Sequence, residues 1–370
     1  MTDFCINGRF LTQPISGVQR VARHLCTALA RSSSSSSFSL LIPPGAEAEA
    51  RKIGLSFEIV YGWPDRLLGG ILWESRPLLK ATRGRYLINL TNRFPVGLQR
   101  GAVLIHDAHV FDLPSTYRPI FRFFYRTLYR LAVNRGLDLV TVSDFSRERL
   151  SGALGVESGR WTVIRSGIDH ILEPKADCSV LKRFELTPDH YVLTVGAQAR
   201  HKNLASLELL GEGLAARGHV LVTVGDMSPT VYASTEFTEG IKYIGRLDDG
   251  GLRALIENAR CFVFPSRYEG FGLPPLEAMA LGCPVAASDI APLREACGQA
   301  SIYFNPNNPQ DIADQVLALW DNEPQRLRLG KAGRELTRQL TWDHSAQKWL
   351  EFLSLESNAG SVFGSHDHRT

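Results

Sequence analysis

The stretch Pro265-Ser-Arg-Tyr-Glu269-Gly-Phe271-Gly272-Leu273-Pro274-Pro275-Leu-Glu277-Ala-Met-Ala-Leu-Gly282-Cys-Pro284-Val-Ala-Ala-Ser288 decides how this chain is read. Ahead of it, Cys261-Phe-Val-Phe264 has the length and composition of a buried strand. Pro274 and Pro275 suit the first positions of a helix, where a missing N–H costs nothing. Gly282 and Pro284 stop that helix after about two turns. The segment therefore predicts a strand, a glycine loop and a helix start. That arrangement aims free backbone N–H groups and the positive end of a helix dipole at one small volume. A phosphate would bind there without a positive side chain. Glu277 is expected in the first turn of this helix and Glu269 on the loop before it. Carboxylates are wasted on a phosphate, but each accepts hydrogen bonds and can take two from a vicinal diol. A diol plus a diphosphate is the chemistry of a nucleotide sugar. The plainer alternative makes Glu277 a helix-start charge and Glu269 a solvated loop residue. The glycines flanking Phe271, the double proline and the helix stop agree instead on the ligand geometry.

At 370 residues the chain is too long for one typical core, so two domains are expected. Cysteines 5, 26, 178, 261, 283 and 297 show no paired spacing, which argues for a reducing compartment and against a disulfide framework or a zinc site. No stretch is long and apolar enough to span a bilayer, and the first residues lack the charged and apolar regions of an export signal. The expectation is a cytoplasmic protein. The net charge of +3 hides an asymmetry. Residues 1–168 hold 22 Lys and Arg against 12 Asp and Glu, a net of +10, and the remaining 202 hold 19 against 26, a net of −7. A basic half calls for an anionic partner: a membrane surface, nucleic acid or a phosphorylated acceptor. Arg118, Arg122, Arg126 and Arg130 recur every fourth residue and would form one stripe on a helix, with Phe121, Phe124, Leu128 and Leu131 on other faces. Such a helix can lie peripherally on anionic lipid, at about 1 kcal/mol per basic residue near the surface. A core-packed helix with a solvated arginine face is the alternative. Nucleic acid is set aside because nothing resembles a recognition module.

Along the chain, short apolar runs alternate with helical patterns, twice over. In the first half Phe4–Asn7, Ser39–Ile42, Phe57–Tyr61, Tyr86–Leu90, Val103–His106 and Leu139–Val142 read as strands, with a helix over about Val18–Ala30 and a flexible loop at serines 32–37. In the second half Tyr191–Val195, Val220–Val224, Ile241–Ile244, Cys261–Phe264 and Val285–Ala287 read as strands, and His201–Gly211 as a helix. Strands alternating with helices mean parallel sheets with right-handed crossovers. The predicted division is residues 1–170, 171–340, a crossover helix over 341–355 returning to the first domain, and a disordered tail over 356–370. The histidines of that tail, His366 and His368, form a weak metal pattern that is discounted. In open parallel sheets ligands bind at the carboxyl ends of strands, so two such domains facing each other would enclose a cleft lined by both sets of loops.

These residues resemble the retaining nucleotide-sugar glycosyltransferases of family 4, whose GT-B architecture has two Rossmann-like domains. The segment from Pro265 to Val285 carries the resemblance most specifically. Val195-Gly196 with Lys202-Asn-Leu, Ile105-His106-Asp107, Thr141 to Ser146, Ile164 to Asp169, and Ile15-Ser-Gly17-Val support it, over nearly the whole chain. The resemblance implies that Glu277 holds the nucleotide ribose. It implies that Glu269 and the backbone of Phe271, Gly272 and Leu273 address the donor sugar and its phosphates. Lys202 would neutralise the diphosphate, His106 would lie by the reacting anomeric carbon, and Gly17 would belong to a loop closing over the phosphates. The Val-Gly loop contributes Gly196. Where the family often has a basic residue the chain has Ala197, so Arg200 or His201 is the candidate second cation; Arg246 stands where the family holds the base. Fixed lysine and dipole charge can replace a divalent ion in stabilising the leaving group, so no metal or other cofactor is expected, and Asp248-Asp249 is not read as a metal site.

The implied function is transfer of a hexose, with mannose as a guess, from a nucleoside-diphosphate sugar to an acceptor hydroxyl. The implied acceptor is a polyprenyl-linked oligosaccharide of polysaccharide or lipopolysaccharide assembly. A glycosyl phosphorylase, a sugar-nucleotide epimerase and a non-catalytic sugar-nucleotide-binding protein remain open on the same architecture. A nicotinamide-dependent oxidoreductase is disfavoured, because no Gly-x-Gly-x-x-Gly opens the helix after the first strand of either half.

Overall fold

The computed structural model describes residues 4–62, 69–196, 199–225 and 240–363. The chain divides into two units, one formed by the residues up to Gly167 together with those from Thr341 onward, the other by Ile168–Leu340. The expected tail lies partly outside the described residues, and His366, His368 and Ala197 fall there. The last helix runs Trp342–Phe363 and so continues beyond residue 355, where polar composition had predicted its end.

The first unit is built on β1 (Phe4–Asn7), β2 (Phe38–Ile42), β3 (Ser56–Ile59), β4 (Tyr86–Asn89), β5 (Gly101–Leu104), β6 (Asp138–Thr141) and β7 (Trp161–Val163). All pair parallel, in the order β3-β2-β1-β4-β5-β6-β7. The central strands are short and buried on both faces, as parallel strands covered by helices must be, while the edge strand β3 carries Ser56 and Glu58 and is more open. Gly101 opens β5 because the neighbouring strand comes too close for anything larger: a Cβ there would sit 2.1 Å from the Leu87 carbonyl oxygen. The last helix belongs to this unit by packing. Trp342 and Trp349 are buried, Trp342 stacks on His24 of the helix Gly17–Arg31, and Asp343 pairs with Arg31 at 2.9 Å. Gly167 is required by the same docking, since a Cβ on it would meet the Trp342 backbone nitrogen at 2.2 Å.

The second unit carries β8 (Tyr191–Val195), β9 (Val220–Val224), β10 (Ile241–Gly245), β11 (Cys261–Phe264), β12 (Val285–Ser288) and β13 (Ser301–Phe304), parallel in the order β10-β9-β8-β11-β12-β13. In each sheet the chain runs outward on one side and returns to the other side of its first strand. The order therefore reverses between β1 and β4 and again between β8 and β11. These are the topological switch points at which α/β sheets open a crevice beyond their strand ends.

Several local expectations change. The segment His201–Gly211 is not one helix: 3-10 turns over Arg200–Lys202 and Leu204–Leu207 precede the α-helix Glu208–Ala215. The break is at Asn203, which adopts φ +59° while its amide donates to the carbonyls of Pro265 (3.0 Å) and Pro306 (2.8 Å). Asparagine tolerates this left-handed backbone, and two buried carbonyls repay it. The serine run 32–37 contains a 3-10 turn at Ser35–Ser37 rather than wholly irregular loop. The Asp248-Asp249 pair is explained by capping: Asp248 Oδ1 accepts from Gly251 N at 2.8 Å at the start of the helix Asp249–Asn258. All six cysteines are free, and burial pushes the Cys261 thiol up to about 12.

Candidate functional site

Beyond β11 the chain turns through Pro265–Gly272 into the helix Leu273–Ala280. Gly272 is its N-cap residue at φ +100°, and an added Cβ would lie 2.7 Å from Leu293 Cδ2. Only glycine meets both constraints. No side chain caps this helix start, and because Pro274 and Pro275 carry no N–H, the backbone donors it offers to the loop are those of Gly272 and Leu273. Glu277 is the fifth residue of the helix, not in its first turn as the sequence suggested. Helical side chains lean back toward the N-terminus, so the carboxylate still reaches toward the loop. Glu277 is buried, and its Oε1 lies 3.0 Å from Nε2 of His170, in the 3-10 turn Asp169–Leu172.

Beyond β8, Lys202 projects onto the same place. Its Nζ is 2.6 Å from Glu269 Oε1 and stands 5.3 Å from the centroid of the Phe264 ring. Gly196 lies beside the lysine stem: a Cβ there would make ordinary contact, 3.8 Å, with three of its side-chain carbons. The two loops are pinned to each other by Arg267 N donating to His201 O at 2.8 Å. Lys202, Gly196, Glu269, Phe271, Gly272, Leu273 and Glu277 thus sit on the loops and helix that follow the two strands of one switch point. A cation, two carboxylates and an uncapped helix start are what a diphosphate carrying a diol requires. Arg200 is exposed in the turn beside Lys202. Arg246 is exposed just after β10, the edge strand, two strands away from β8.

In the first unit His106 follows β5 and is buried. Its Nε2 donates to the Leu90 carbonyl at 3.0 Å, its backbone N–H to Asn92 Oδ1 at 2.7 Å, and its carbonyl accepts from Ser146 Oγ at 3.0 Å. A carbonyl can only accept, so the neutral ring carries its hydrogen on Nε2 and its lone pair on Nδ1. Burial lowers the His106 pKa below its ordinary value, against smaller opposing effects of the Leu90 bond and Asp107. Ser143 caps the helix Asp144–Leu154, accepting from Ser146 N at 3.0 Å, so this motif serves to hold His106. Gly17 is the exposed first residue of its helix, with nothing within 4 Å of an added Cβ.

A model described as glycosyl transferases group 1 matches residues 182–336, and one described as glycosyltransferase family 4 matches residues 15–171. O-antigen chain mannosyltransferase B of Escherichia coli is 30% identical over 277 residues, covering 70% of this chain and 72% of that protein. The chain belongs to glycosyltransferase family 4. O-antigen chain mannosyltransferase RfbU of Salmonella typhimurium is a further relative of this glycosyltransferase, 27% identical over 63% of this chain and 64% of its own. Among solved structures, Anabaena Alr3699/HepE in complex with UDP and glucose aligns with a TM-score of 0.71 at 16% identity, over 96% of this chain and 100% of that one. WaaG, a glycosyltransferase involved in lipopolysaccharide biosynthesis, aligns at 0.69 and 16%, over 95% and 99%. These likenesses show that the family 4 chain has the GT-B fold.

The arginine stripe of this glycosyltransferase is not one solvated face. The helix Pro119–Asn134 turns Arg122 to the Pro114 carbonyl (3.3 Å) and Arg126 to those of Val110 (2.9 Å) and Phe111 (3.3 Å). Arg118 and Arg130 are exposed, as are Ile120 and Phe123. Four-residue spacing fixes a stripe but not the direction it faces. The adjacent stripe, Tyr117, Phe121, Tyr125 and Tyr129, forms a ladder of ring contacts with centroids 4.9, 4.5 and 5.9 Å apart. The same spacing in the sequence carried that signal, and it was missed. His170 was also missed: no local pattern announces a contact with a helix about a hundred residues further on.

Proposed function

We propose that this glycosyltransferase moves a hexose, mannose in our reading, from a nucleoside-diphosphate sugar to a hydroxyl of a lipid-linked saccharide. The process is polysaccharide or lipopolysaccharide assembly, and the anomeric configuration is retained. The observation that carries the reading is the contact of Lys202 with Glu269 beside the uncapped helix of Glu277, at a switch point. In this scheme Glu277 takes the ribose diol and Lys202, shared with Glu269, takes the diphosphate. As the bond from the anomeric carbon to the phosphate oxygen breaks, negative charge grows on the leaving group. Nζ of Lys202 and the backbone N–H groups of Gly272 and Leu273 stabilise that charge most in the transition state. The acceptor oxygen bonds to the same face of that carbon, and its proton passes to the departing phosphate oxygen. His106, neutral and with its lone pair on Nδ1, accepts a hydrogen bond from a sugar hydroxyl. The names of the two O-antigen mannosyltransferases support mannose and the polysaccharide setting.

Among the described residues no helix is long and apolar enough to cross a membrane. Peripheral contact with an anionic membrane is supported by the exposed Ile120, Phe123 and Arg130 of one helix and Arg118 at its N-cap.

The deciding experiment is a melting-temperature screen of the purified protein with GDP, UDP, dTDP and ADP, followed by a transfer assay with the matching sugar donor. One diphosphate raises the melting temperature, and proton NMR of the product shows the donor's anomeric configuration. If none of the four protects at millimolar concentration, the donor-site reading is wrong. An inverted product removes retention alone.

A further inference from the structure

The sheet of the first unit has its own switch point, between β1 and β4, and a charged cluster sits on it. Asn7 ends β1 and Asn89 ends β4; both are buried. Asn7 Nδ2 donates to Asn89 Oδ1 and to Glu74 Oε1, each at 3.2 Å, and Asn89 Nδ2 donates to the Ala102 carbonyl at 3.2 Å. Glu74, from the helix Gly69–Thr82, has a side chain only 4% exposed. Its Oε2 receives two guanidinium groups, Arg9 Nη1 at 2.9 Å and Arg93 Nη2 at 2.6 Å.

Among the described residues the ion pairs set one carboxylate against two arginines. The second arginine brings a surplus positive charge to a partly desolvated place, an arrangement that costs stability unless an anion completes it. Each guanidinium has five N–H donors in a planar fork; Glu74 takes one from each, and Arg93 gives another to Tyr125. The arginine side chains are 14% and 16% exposed against 4% for Glu74, so they are slightly more open than the carboxylate, while Nε of each is buried without a hydrogen-bond partner among the described residues. Arg93 is also held in place, its guanidinium 5.5 Å from the centroid of the Phe124 ring. It follows Asn92, whose Oδ1 accepts from the His106 N–H, so one loop fixes both Arg93 and His106.

We infer that Arg9 and Arg93 form an anion subsite for a phosphate group of the acceptor, of the kind that joins a saccharide to a lipid through a pyrophosphate. The inference rests on the proposed transferase reading and adds the chemistry of its acceptor. A saccharide linked through pyrophosphate places two charges at a fixed distance from the hydroxyl to be glycosylated. Two arginines beside the loop of His106 would hold that end.

Inorganic pyrophosphate is the probe, titrated calorimetrically into the full chain already saturated with whichever nucleoside diphosphate protects it, so that the Lys202 site is occupied. Wild type and Lys202→Ala bind pyrophosphate under these conditions. Arg9→Gln and Arg93→Gln lose at least tenfold in affinity, while Arg9→Lys and Arg93→Lys, which keep the charge and the fold if the glutamines do not, recover most of it. Nucleoside diphosphate affinity stays within twofold in all four arginine variants. Saturated wild type that binds no pyrophosphate overturns the subsite, as do glutamine variants that melt lower yet bind it normally. Arginine variants that lose the nucleoside diphosphate as strongly assign these residues to the donor and overturn the acceptor role. If the wild type binds no nucleoside diphosphate, the donor reading fails separately, and pyrophosphate is then titrated into the unsaturated Lys202→Ala protein, where loss in the glutamine variants supports the subsite and its absence overturns it.

Discussion

Nε2 of His170 lies 3.0 Å from Oε1 of Glu277, with both side chains buried. This contact places a ring nitrogen beside one carboxylate oxygen; in the proposed scheme the ribose diol takes the other. Glu277→Gln keeps the shape and removes the charge that strengthens bonds to a ribose diol. A hydrogen bond to a charged group contributes about 1.5–3 kcal/mol, so the donor KM should rise roughly tenfold or more. Steady-state kinetics against donor concentration decide it, and an unchanged KM removes Glu277 from the donor site.

Lys202 touches Glu269 at 2.6 Å and, in the proposed scheme, the leaving diphosphate. Lys202→Ala should cut kcat by about 100-fold to 1,000-fold, the size typical of losing one preorganised charge-stabilising group. KM should move less. If fixed charge replaces a metal ion, activity also survives EDTA, and complete loss on chelation would sink that idea.

Burial holds the His106 pKa below the 6.5 of a free histidine. Between the two values the unfolded chain binds more protons than the folded one, so stability falls as pH drops through the region just below 6.5. Calorimetric melting from pH 7.5 to 5.5 should therefore show a steeper decline for wild type than for His106→Asn. Parallel curves would mean that His106 does not carry this linkage. His219, also lowered chiefly by desolvation, contributes to both proteins alike.

Gly272 combines φ +100° with a crowded Cβ position. Gly272→Ala should destabilise the fold by about 1–3 kcal/mol and weaken donor binding, because the helix start would have to shift. Chemical denaturation measures the first effect and nucleoside diphosphate titration the second. Wild-type values in both would show that the loop yields without cost.

Ile120, Phe123 and Arg130 are exposed on one helix and Arg118 at its N-cap, while Arg122 and Arg126 are bonded to carbonyls. Arg118→Gln with Arg130→Gln, or Ile120→Ser with Phe123→Ser, should each weaken partitioning onto anionic phosphatidylglycerol vesicles several-fold. Unchanged sedimentation with vesicles would leave this helix as ordinary surface. Arg122→Gln should instead lower the melting temperature, since it leaves the Pro114 carbonyl without that donor.

Much of the architecture was legible. Tyr191–Val195, Val220–Val224 and Cys261–Phe264 are strands over the residues read from their β-branched and aromatic runs. The Gly272, Gly282 and proline signals placed the helix after β11 correctly. What escaped was weakly marked or non-local. β13, Ser301–Phe304, is a four-residue edge strand opened by a serine, and β5 begins at Gly101, a residue that ordinarily argues against a strand. The helix drawn over His201–Gly211 failed at Asn203 because its partners, Pro265 and Pro306, are 62 and 103 residues away.

The amino-acid order alone determined two runs of alternating strands and helices, the glycine-and-proline loop at Pro265–Pro284, and the types of side chain available to a site. Those are short-range matters, settled by backbone sterics and by the period of the apolar residues. Tertiary structure decided which charges meet: Lys202 with Glu269 across 67 residues, Glu74 with Arg9 across 65, and His170 with Glu277. Such meetings depend on the order of strands in a sheet, in which β1 lies beside β4 and β8 beside β11. Strand order is chosen by the packing of the whole core, so no window along the chain contains it.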